Sequence, residues 1–397
     1  MIAELRRQFN TNFTAEKYQR FLERLNQRCG TAIQFRVCET PCFFPAGLMG
    51  QMAAWGEELV QQLLRSEEYR KASDESVPAE FNTPNQERDP LFVSVDFGLV
   101  RGSGGELKPK LVELQAFPTL YGYQPLLAQA YVEDYGLAGD LRVFFKGLTR
   151  EQYHGLLRRA VLGRHAPENV VLLEIDPQEQ KTLPDFLVTD QICGIRMVNI
   201  REVVKQGSKL HYRADSRLIP IHRIYNRVII DELLRKKIET PFDFRDELQV
   251  EWAGHPNWYF RISKFSIPFL KHECVPRTWF LHQLKQVPKD RENYLLKPLY
   301  SFAGSGIIFS PTDEQLAAIP AGQRQHYILQ ERMQFAPVIE TPHGATQAEV
   351  RVMYLWLEGE RLRPVLGLTR MGRGKMMGVD HNRNLEWVGG SAVLMRD

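Results

Sequence analysis

The segment that most constrains this chain runs from Tyr294 to Ile307. An apolar run ends at Lys297 and Pro298, a loop of small residues follows, and a second apolar run begins at Ile307. Small residues let the backbone approach an anion closely and turn several N–H groups towards it. The residues that could do so are Ala303, Gly304, Ser305 and Gly306. Because Lys297 would add a positive charge, the segment indicates a phosphate-binding hairpin. The alternative is an ordinary hairpin whose lysine stem covers apolar surface.

A second hairpin is predicted in the first third of the chain. Apolar strands at 91–99 and 109–115 flank a glycine-rich turn. Asp96 and Glu113 lie on neighbouring strands and can point to one face, where two carboxylates suit Mg²⁺ bound to substrate phosphates. Buried without a cation, the two charges would repel each other. The alternative is a solvent-exposed hairpin that happens to carry acidic residues.

Composition limits the classes of partner and the compartment. The 51 basic and 48 acidic residues give a net charge of +3 and are spread along the chain, which argues against a nucleic-acid or membrane surface. Five cysteines, an odd number in a long chain, argue against a disulfide framework. No apolar run reaches transmembrane length, and the first residues lack the apolar core of a secretory signal. We therefore expect a cytoplasmic protein without nucleic-acid or membrane partners, of undetermined oligomeric state.

The middle of the chain has the pattern of an α/β layer. Strands predicted at 170–175, 193–198 and 218–221 alternate with helical stretches, the last of which covers 228–236. Such alternation is typical of an open, mostly parallel sheet covered by helices. We therefore predict a separate α/β domain at residues 165–250.

Helices and loops are predicted before the first hairpin. Apolar residues at helical spacing indicate a helix over 15–28. A second helix is expected over 46–70, and a short strand over 33–37. Residues 71–90 are polar and rich in proline, which favours a surface loop.

The last third of the chain adds further strands. Residues 327–332 predict a strand in which Gln330 and Glu331 form a polar pair at the end. That pair could hold the edge of an adenine ring, or it could be a salt-bridged pair at the surface. Residues 349–357 and 363–370 predict a long antiparallel pair.

The order of these features resembles the ATP-grasp superfamily. Lys264 precedes a predicted helix, Lys297 precedes the glycine loop, and the Gln330 and Glu331 strand follows. A Glu349-Val350-Arg351 strand and Arg370 in its partner strand come next. In that family an early lysine and a Lys-Pro strand meet phosphates, a hinge Gln-Glu pair clamps adenine, and two arginines approach the phosphates and the acyl group. The set of residues that the resemblance implies for ATP is Lys264, Lys297, Ala303, Gly304, Ser305, Gly306, Gln330 and Glu331. The implied catalytic set is Lys297, Arg351 and Arg370.

The family's metal-binding strands stand at the opposite end of this chain. They should follow the glycine pair at 389–390, but a helix at 46–70, the Asp96 strand and the Glu113-Leu114-Gln115 strand match them in order instead. The resemblance therefore implies a circular permutation, which requires that the original termini lie close together. It also implies that Asp96, Glu113 and Gln115 hold Mg²⁺, with Mn²⁺ as the alternative. Gln115 stands where the family has asparagine, which bears on metal geometry and activity.

The implied fold class is α+β: a circularly permuted ATP-grasp fold with an additional α/β domain of the kind that precedes the ATP-grasp core. The likeness is to the branch related to glutathionylspermidine synthase. Residues 1–130 would be the metal-binding part of the core placed first, and 165–250 the preceding-type α/β domain. Residues 258–335 would form the small lobe with its glycine loop, and 336–397 the first part of the large lobe.

The implied reaction joins a carboxylate to an amine. ATP would transfer its γ-phosphoryl group to the acid, and an amine would then attack the acyl phosphate. The partners would be a small-molecule acid and amine. Arg227 would hold a substrate carboxylate, or would be a structural arginine paired with Asp231. Three other functions stay open: a phosphotransferase that uses the same site, a catalytically weakened ATP-binding regulatory or partner protein, and an α/β scaffold that binds no nucleotide.

Overall fold

A computed structural model describes residues 1–300, 306–374, 377, 382 and 384–397. Within these residues none of the helices is long and apolar enough to cross a membrane. The α-helices are α1 (Ala3–Asn12), α2 (Ala15–Cys29), α3 (Ala46–Arg65), α4 (Glu67–Ser76), α5 (Tyr123–Asp134), α6 (Arg150–Leu162), α7 (Leu183–Cys193), α8 (Ile230–Lys236), α9 (Asn257–Arg261) and α10 (Asp313–Ala317).

The strands form four sheets. They are β1 (Cys42–Pro45), β2 (Phe92–Arg101), β3 (Leu107–Gln115), β4 (Val170–Glu174), β5 (Arg196–Asn199), β6 (Val204–Gln206), β7 (Lys209–Ala214), β8 (Arg217–Ile221), β9 (Arg223–Asn226), β10 (Glu251–Ala253), β11 (Thr278–Phe280), β12 (Tyr294–Pro298), β13 (Ile308–Phe309), β14 (Tyr327–Glu331), β15 (Gln347–Leu355), β16 (Arg363–Gly372) and β17 (Gly389–Arg396).

The largest sheet combines strands from both ends of the chain. Its six strands lie in the order β1-β17-β16-β15-β2-β3. The β1–β17 pair is parallel and the other neighbours are antiparallel. Since successive side chains point to opposite faces, one face can be apolar and the other charged. On the apolar face Val95, Phe97, Val350 and Val352 share a core with helix α3, which leaves the opposite face for the site.

A parallel sheet in the order β10-β9-β4-β5 forms the α/β layer of the middle region. Helices α6 and α7 pack in the core on one side, and α8 packs in the core on the other. The strand predicted at 218–221 does exist, but it pairs with β7 in a separate antiparallel sheet, β6-β7-β8. The parallel layer receives β9 instead. Only His222 separates β8 from β9, so apolar periodicity could not distinguish the two strands.

A small antiparallel sheet in the order β11-β14-β12-β13 carries the predicted phosphate hairpin. Lys297 lies near the end of β12, and Gln330 lies in β14. Gly306 has a φ of +74°, and a Cβ there would lie 3.0 Å from Cγ of Pro298. Of the four small residues expected to meet phosphate, Ala303, Gly304 and Ser305 lie outside the described residues.

Two boundary predictions in the N-terminal region are wrong. The strand predicted at 33–37 is reduced to a single bridge at Val37. The helix predicted over 46–70 breaks at Ser66, whose hydroxyl accepts a hydrogen bond from the first turn of α4. Residues 71–76, expected in a loop, are therefore helical. Apolar spacing continues across the break, so only the capping geometry separates the two helices.

Close packing of α3 on the sheet depends on a glycine. A Cβ at Gly56 would lie 2.1 Å from the Tyr354 hydroxyl oxygen and 3.2 Å from Cγ2 of Val95. The Tyr354 hydroxyl donates to the carbonyl oxygen of Ala53 at 2.9 Å, so the ring cannot move away without losing that bond. The absence of a side chain at Gly56 therefore sets the distance between helix and sheet.

We expect Gly56→Ala to lower the free energy of unfolding by about 1–3 kcal/mol, because the added methyl group overpacks this contact. The matched control is Gly50→Ala in the same helix, where an added Cβ would have no neighbouring atom within 4 Å. There the substitution should stabilise by about 0.5–1 kcal/mol through helix propensity alone. Denaturant unfolding of both variants measures the difference, and equal effects would contradict the packing argument.

Candidate functional site

A cavity of about 750 Å³ opens on the charged face of the six-stranded sheet. Its walls come from β3, β15 and β16 of that sheet, from β12 and β13 of the small sheet, and from the first turns of α5. Residues from both ends of the chain therefore border one space. The cavity is large enough for a nucleotide-sized ligand by the usual range of ligand pockets.

Strand register places charged residues side by side on this face. Asp96 in β2 lies opposite Glu113 in β3 and Arg351 in β15. Glu349, two residues before Arg351, lies opposite Arg370 in β16. Because alternate residues of a strand share a face, these five residues form one row, which we call the charged row.

Asp96 is the centre of the charged row. It is 1% exposed, and it accepts hydrogen bonds from Nε and Nη2 of Arg351 at 2.6 and 2.7 Å and from Nη1 of Arg370 at 3.1 Å. Burial opposes ionisation, but the two guanidinium groups outweigh it and hold the pKa of Asp96 below its usual value. Both oxygens of this predicted metal ligand therefore bind arginines, and Asp96 does not line the cavity.

Glu113 and Gln115 do line the cavity. Oε2 of Glu113 lies 3.8 Å from Nζ of Lys264, and Nε2 of Gln115 donates to Oε1 of Glu113. Lys264 begins a 3₁₀ turn over Lys264–Phe269, where a regular helix was expected slightly later. No group of three His, Cys, Asp or Glu side chains suited to a metal occurs in the described part of the chain. Mg²⁺ often uses only one or two carboxylates together with phosphates, and Glu113 fits that role better than Asp96 does.

Glu349 is a site residue that the sequence assignment omitted. It lines the cavity, is 8% exposed, and accepts a hydrogen bond from Nη1 of Arg370. Burial raises its pKa, and the nearby charges of Asp96 and Glu113 act in the same direction. The signal was present in the sequence, because residues two apart in a strand share a face and Arg351 had already been assigned to the site.

Lys297 is buried against the small sheet. Its Nζ donates to Oε1 of Gln330 at 2.6 Å, and Nε2 of Gln330 donates to the Thr278 hydroxyl at 3.2 Å. Burial lowers the pKa of Lys297 to about 8, and the nearby charge of Lys264 adds to that effect while Glu113 opposes it. The lysine thus lies at the cavity with its amino group held by one neutral partner.

Gln330 and Glu331, the two residues predicted to hold adenine, are not part of the cavity wall. Gln330 is held by Lys297, and Glu331 pairs with Arg277 at the surface, with Nη2 and Oε1 separated by 3.2 Å. Neither residue lines the cavity, whereas the next four residues, 332–335, all do. The surface ion pair considered as the alternative for Glu331 is therefore what forms.

Arg227 lies behind the cavity wall. It is 3% exposed and does not line the cavity, but its guanidinium lies 5.3 Å from the ring centre of Phe117, which does. A second ring, that of Phe186, lies 5.2 Å away. Within the described residues Nε and Nη1 of Arg227 have no hydrogen-bond partner, and no bond to Asp231 forms. Arg227 therefore does not reach the cavity in this structure, and its contact with a substrate carboxylate stays a prediction.

Three further basic residues line the cavity and were missed, namely Lys181, Arg332 and Arg373. Arg332 lies over the Phe309 ring at 5.6 Å, and Arg373 donates to the Thr346 hydroxyl at 3.2 Å and to the Glu386 carbonyl oxygen at 2.6 Å. Lys181 precedes helix α7. No sequence motif identifies the three residues, because their role depends on how the ends of β14 and β16 and the segment before α7 are placed.

If Lys297 binds the phosphates of ATP, as the resemblance to the ATP-grasp superfamily predicts, we expect that binding to depend on pH. The lowered pKa of Lys297 means that the positive charge is present below about pH 8 and lost above it, so roughly a tenth remains at pH 9. Affinity for ATP, measured by calorimetry, should fall about tenfold between pH 7 and pH 9. Lys297→Arg keeps its charge throughout this range and is the control. The same loss of affinity in both proteins would contradict the assignment.

Among the comparisons with known proteins, only the search of solved structures found a likeness. No family model matches the chain, and no curated protein matches it. Among solved structures it is similar to a glutathione synthetase-like effector (GSS30) from Globodera pallida in its apo form. The two chains are 13% identical, and the match covers 89% of this chain and 95% of the other with a TM-score of 0.56. At that identity the likeness concerns the fold alone, and it confirms the α+β class: the chain has a glutathione synthetase-like fold.

Proposed function

We propose that this chain is an ATP-dependent ligase that joins a carboxylate to an amine through an acyl phosphate. The observation that supports it most is the charge of one cavity. Seven lysines and arginines and two glutamates line its described part, although the whole chain has a net charge of only +3. Concentrated positive charge in a concave, partly apolar site favours a polyanionic ligand.

The nucleotide would lie between the small sheet and the charged row. Its phosphates would meet Lys264, Lys297 and the 303–306 loop. The base would lie against residues 332–335 rather than against Gln330 and Glu331, because only the former line the cavity. Gln330 would then act indirectly, by holding the amino group of Lys297 in place.

The metal site of the proposal is smaller than the sequence implied. Glu113 would bind Mg²⁺ or Mn²⁺ together with the phosphates, and the amide of Gln115 lies beside it. Bound there, the ion would neutralise phosphate charge. Asp96 would contribute by fixing the two arginines, because both of its oxygens already bind them.

The chemistry proceeds in two displacements. A carboxylate oxygen of the acid attacks the γ-phosphorus of ATP, the bond to the β,γ-bridging oxygen breaks, and ADP leaves. The amine nitrogen then attacks the acyl carbon, phosphate leaves with the bonding electron pair, and the nitrogen loses a proton. Arg351 and Arg370 would stabilise the negative charge of the acyl phosphate, while Lys297 would orient the transferred group.

A second candidate is an ATP-binding regulatory or partner protein with weakened catalysis. Two observations favour it: Gln115 replaces the expected asparagine, and Asp96 is enclosed by arginines instead of facing the cavity. A screen of phosphate release from Mg-ATP across pairs of carboxylic acids and amines separates the candidates. Release that requires both an acid and an amine supports the ligase. ATP binding without release in any pair supports the regulator.

Circular permutation is part of the proposal, and the chain ends support it. Strand β17, which ends the chain, pairs in parallel with β1. Nη2 of Arg396 lies 3.7 Å from Oε2 of Glu4 in α1. Residue 397 and residue 1 could therefore be joined by a short linker in an unpermuted arrangement.

We expect a re-permuted chain to fold. In this protein a short Gly/Ser linker joins Asp397 to Met1, and the chain is opened in the exposed turn between Gly139 and Asp140. Every strand of the large sheet stays intact. The free energy of unfolding should fall by less than about 2 kcal/mol, since closing a short loop costs little. A control opened at Gly359, in the turn between β15 and β16, should lose more because it separates the strands that carry Arg351 and Arg370. Denaturant unfolding compares the two, and failure of only the first protein to fold would count against permutation.

We expect Glu113→Gln to damage turnover more than stability. The variant keeps the shape of the side chain but removes one negative charge from the proposed metal site, so kcat should fall by orders of magnitude. It loses the attraction of Glu113 for Lys264, 3.8 Å away, but it keeps an oxygen that can accept the Gln115 bond and relieves the repulsion between Glu113 and Glu349, so the melting temperature should change little. The control is Glu106→Gln in the same hairpin, which removes an exposed ion pair with Lys108. Turnover and Mg²⁺ affinity are measured alongside melting temperature, and equal turnover in both variants would remove Glu113 from the site.

A further inference from the structure

A chain of three hydrogen bonds leads from the backbone to the amino group of Lys297. The Thr278 hydroxyl donates to the carbonyl oxygen of Pro276 at 2.9 Å. Nε2 of Gln330 donates to the Thr278 hydroxyl at 3.2 Å, and Oε1 of Gln330 accepts from Nζ of Lys297 at 2.6 Å. We call these three bonds the amide relay. They end at the cavity, because Lys297 lines it.

The direction of every bond in the amide relay is fixed from the backbone end. A carbonyl oxygen can only accept, so the Thr278 hydroxyl gives its proton to Pro276. The hydroxyl oxygen then acts as an acceptor for the N–H of Gln330. This turns the Gln330 oxygen towards Lys297, whose amino group can only donate. Because Gln330 is fully buried, its amide cannot turn round without leaving a polar group unsatisfied.

Strand pairing places the side chains of the amide relay on one face of the small sheet. Thr278 in β11 lies directly opposite Gln330 in β14. Gln330 lies opposite Leu295 in β12, and Lys297 is two residues further along that strand. Alternate residues of a strand share a face, and diagonal neighbours are within reach of long side chains. The relay is therefore built into the register of the sheet.

Gln330 holds Lys297 without neutralising its charge. The charged groups near the amino group are Glu113 in β3, Glu349 in β15 and Lys264 in the 3₁₀ turn. Burial lowers the pKa of Lys297, Lys264 adds to that effect, and the two glutamates oppose it. A lysine has three N–H donors, and within the described residues one of them is bound, by Gln330. An amide oxygen thus orients the lysine and leaves its positive charge for an anion.

We propose that Thr278 and Gln330 are positioning residues of the nucleotide site. Through the amide relay they aim a neutral oxygen at Lys297 and hold its amino group, with its charge intact, where the phosphates bind. The inference rests on the proposed function and deepens it, because it adds two residues that act through Lys297 rather than on the ligand. A carboxylate in place of the amide would also hold the lysine, but its negative charge would repel the phosphates.

The first test removes the hydroxyl of Thr278. Thr278→Val deletes the acceptor of the Gln330 N–H, so the amide is free to turn and Lys297 loses its fixed acceptor. We expect the pKa of Lys297 to fall, as measured by NMR titration of protein labelled with carbon-13 at the lysine Cε atoms, with Lys297→Arg assigning the signal. Affinity for ATP near pH 8, measured by calorimetry, should fall by about threefold to tenfold. Thr278→Ser keeps the hydroxyl and should restore both values.

The matched control is Thr83→Val. The Thr83 hydroxyl also donates to the carbonyl oxygen two residues earlier, that of Phe81, at 3.2 Å. It belongs to a loop held by Asn257, whose Oδ1 accepts from the Thr83 N–H at 3.0 Å. This variant should leave the pKa of Lys297 and the affinity for ATP unchanged. The same pKa of Lys297 in Thr278→Val as in this control would overturn the inference.

The second test exchanges the neutral oxygen for a charged one. Gln330→Glu should raise the pKa of Lys297, because a carboxylate stabilises the ammonium group, and yet weaken ATP binding by about tenfold or more. Gln330→Met removes the acceptor and should lower both the pKa and the affinity. ATP affinity that rises together with the pKa in Gln330→Glu would overturn the need for a neutral partner. If the melting temperature shows that a Gln330 variant is unfolded, the Thr278 variants decide the inference alone.

Failure of the inference and failure of the proposed function are distinguishable, because the pKa of Lys297 is measured without ATP. If none of the proteins binds ATP while Thr278→Val lowers that pKa and Thr278→Ser restores it, the proposed function fails and the amide relay stands as the structure that holds the lysine. If all of them bind ATP equally and the pKa of Lys297 never changes, the inference fails and the proposed function stands.

Discussion

The buried contact of Asp96 with Arg351 and Arg370 determines how the rest of the site is arranged. Removing a carboxylate from water is costly unless its lone pairs are satisfied, and here three N–H donors from two strands satisfy them. Asp96 comes from the first third of the chain and both arginines come from the last. The contact therefore aligns β2, β15 and β16 in one register. That register also determines the positions of the neighbouring Glu113 and Glu349.

The same contact controls the charge that the cavity presents. Although burial disfavours the charged form of Arg370, Asp96 and Glu349 outweigh that effect and raise its pKa, so the guanidinium stays positive at any working pH. Lys297 differs because burial lowers its pKa, and its hydrogen-bonded partner, the amide of Gln330, is neutral. The site thus combines arginines of fixed charge with a lysine whose charge depends on its surroundings. Under the proposed function, a phosphate bound beside Lys297 would raise that pKa and keep the lysine charged above pH 8 as well.

Strand patterns in the sequence predicted much of this arrangement, and side-chain direction explains what they missed. Alternation located β2, β3, β15 and β16 within a few residues, and with them every residue of the charged row except Glu349. Sequence cannot tell which cross-strand neighbour a buried carboxylate meets, and so Asp96 was expected at a metal and is found between arginines. The apolar strand that ends in Gln330 and Glu331 also does not reveal, in sequence, where the wall of the cavity begins. The four residues after Glu331 line it, while Glu331 itself binds Arg277.

Register explains why the order of segments along the chain matters so little to the site. Each contact of the charged row joins strands that are neighbours in space, and none requires that residue 397 be followed by a particular segment. What the site requires is that β17 lie beside β16 and that β15 lie beside β2, and backbone pairing with the shared core under α3 supplies both. In the proposed permutation, the covalent connection would be moved to a surface turn. Moving the connection changes the entropy of loop closure, and this entropic cost grows only slowly with loop length. The buried contacts that fix the charges remain the same.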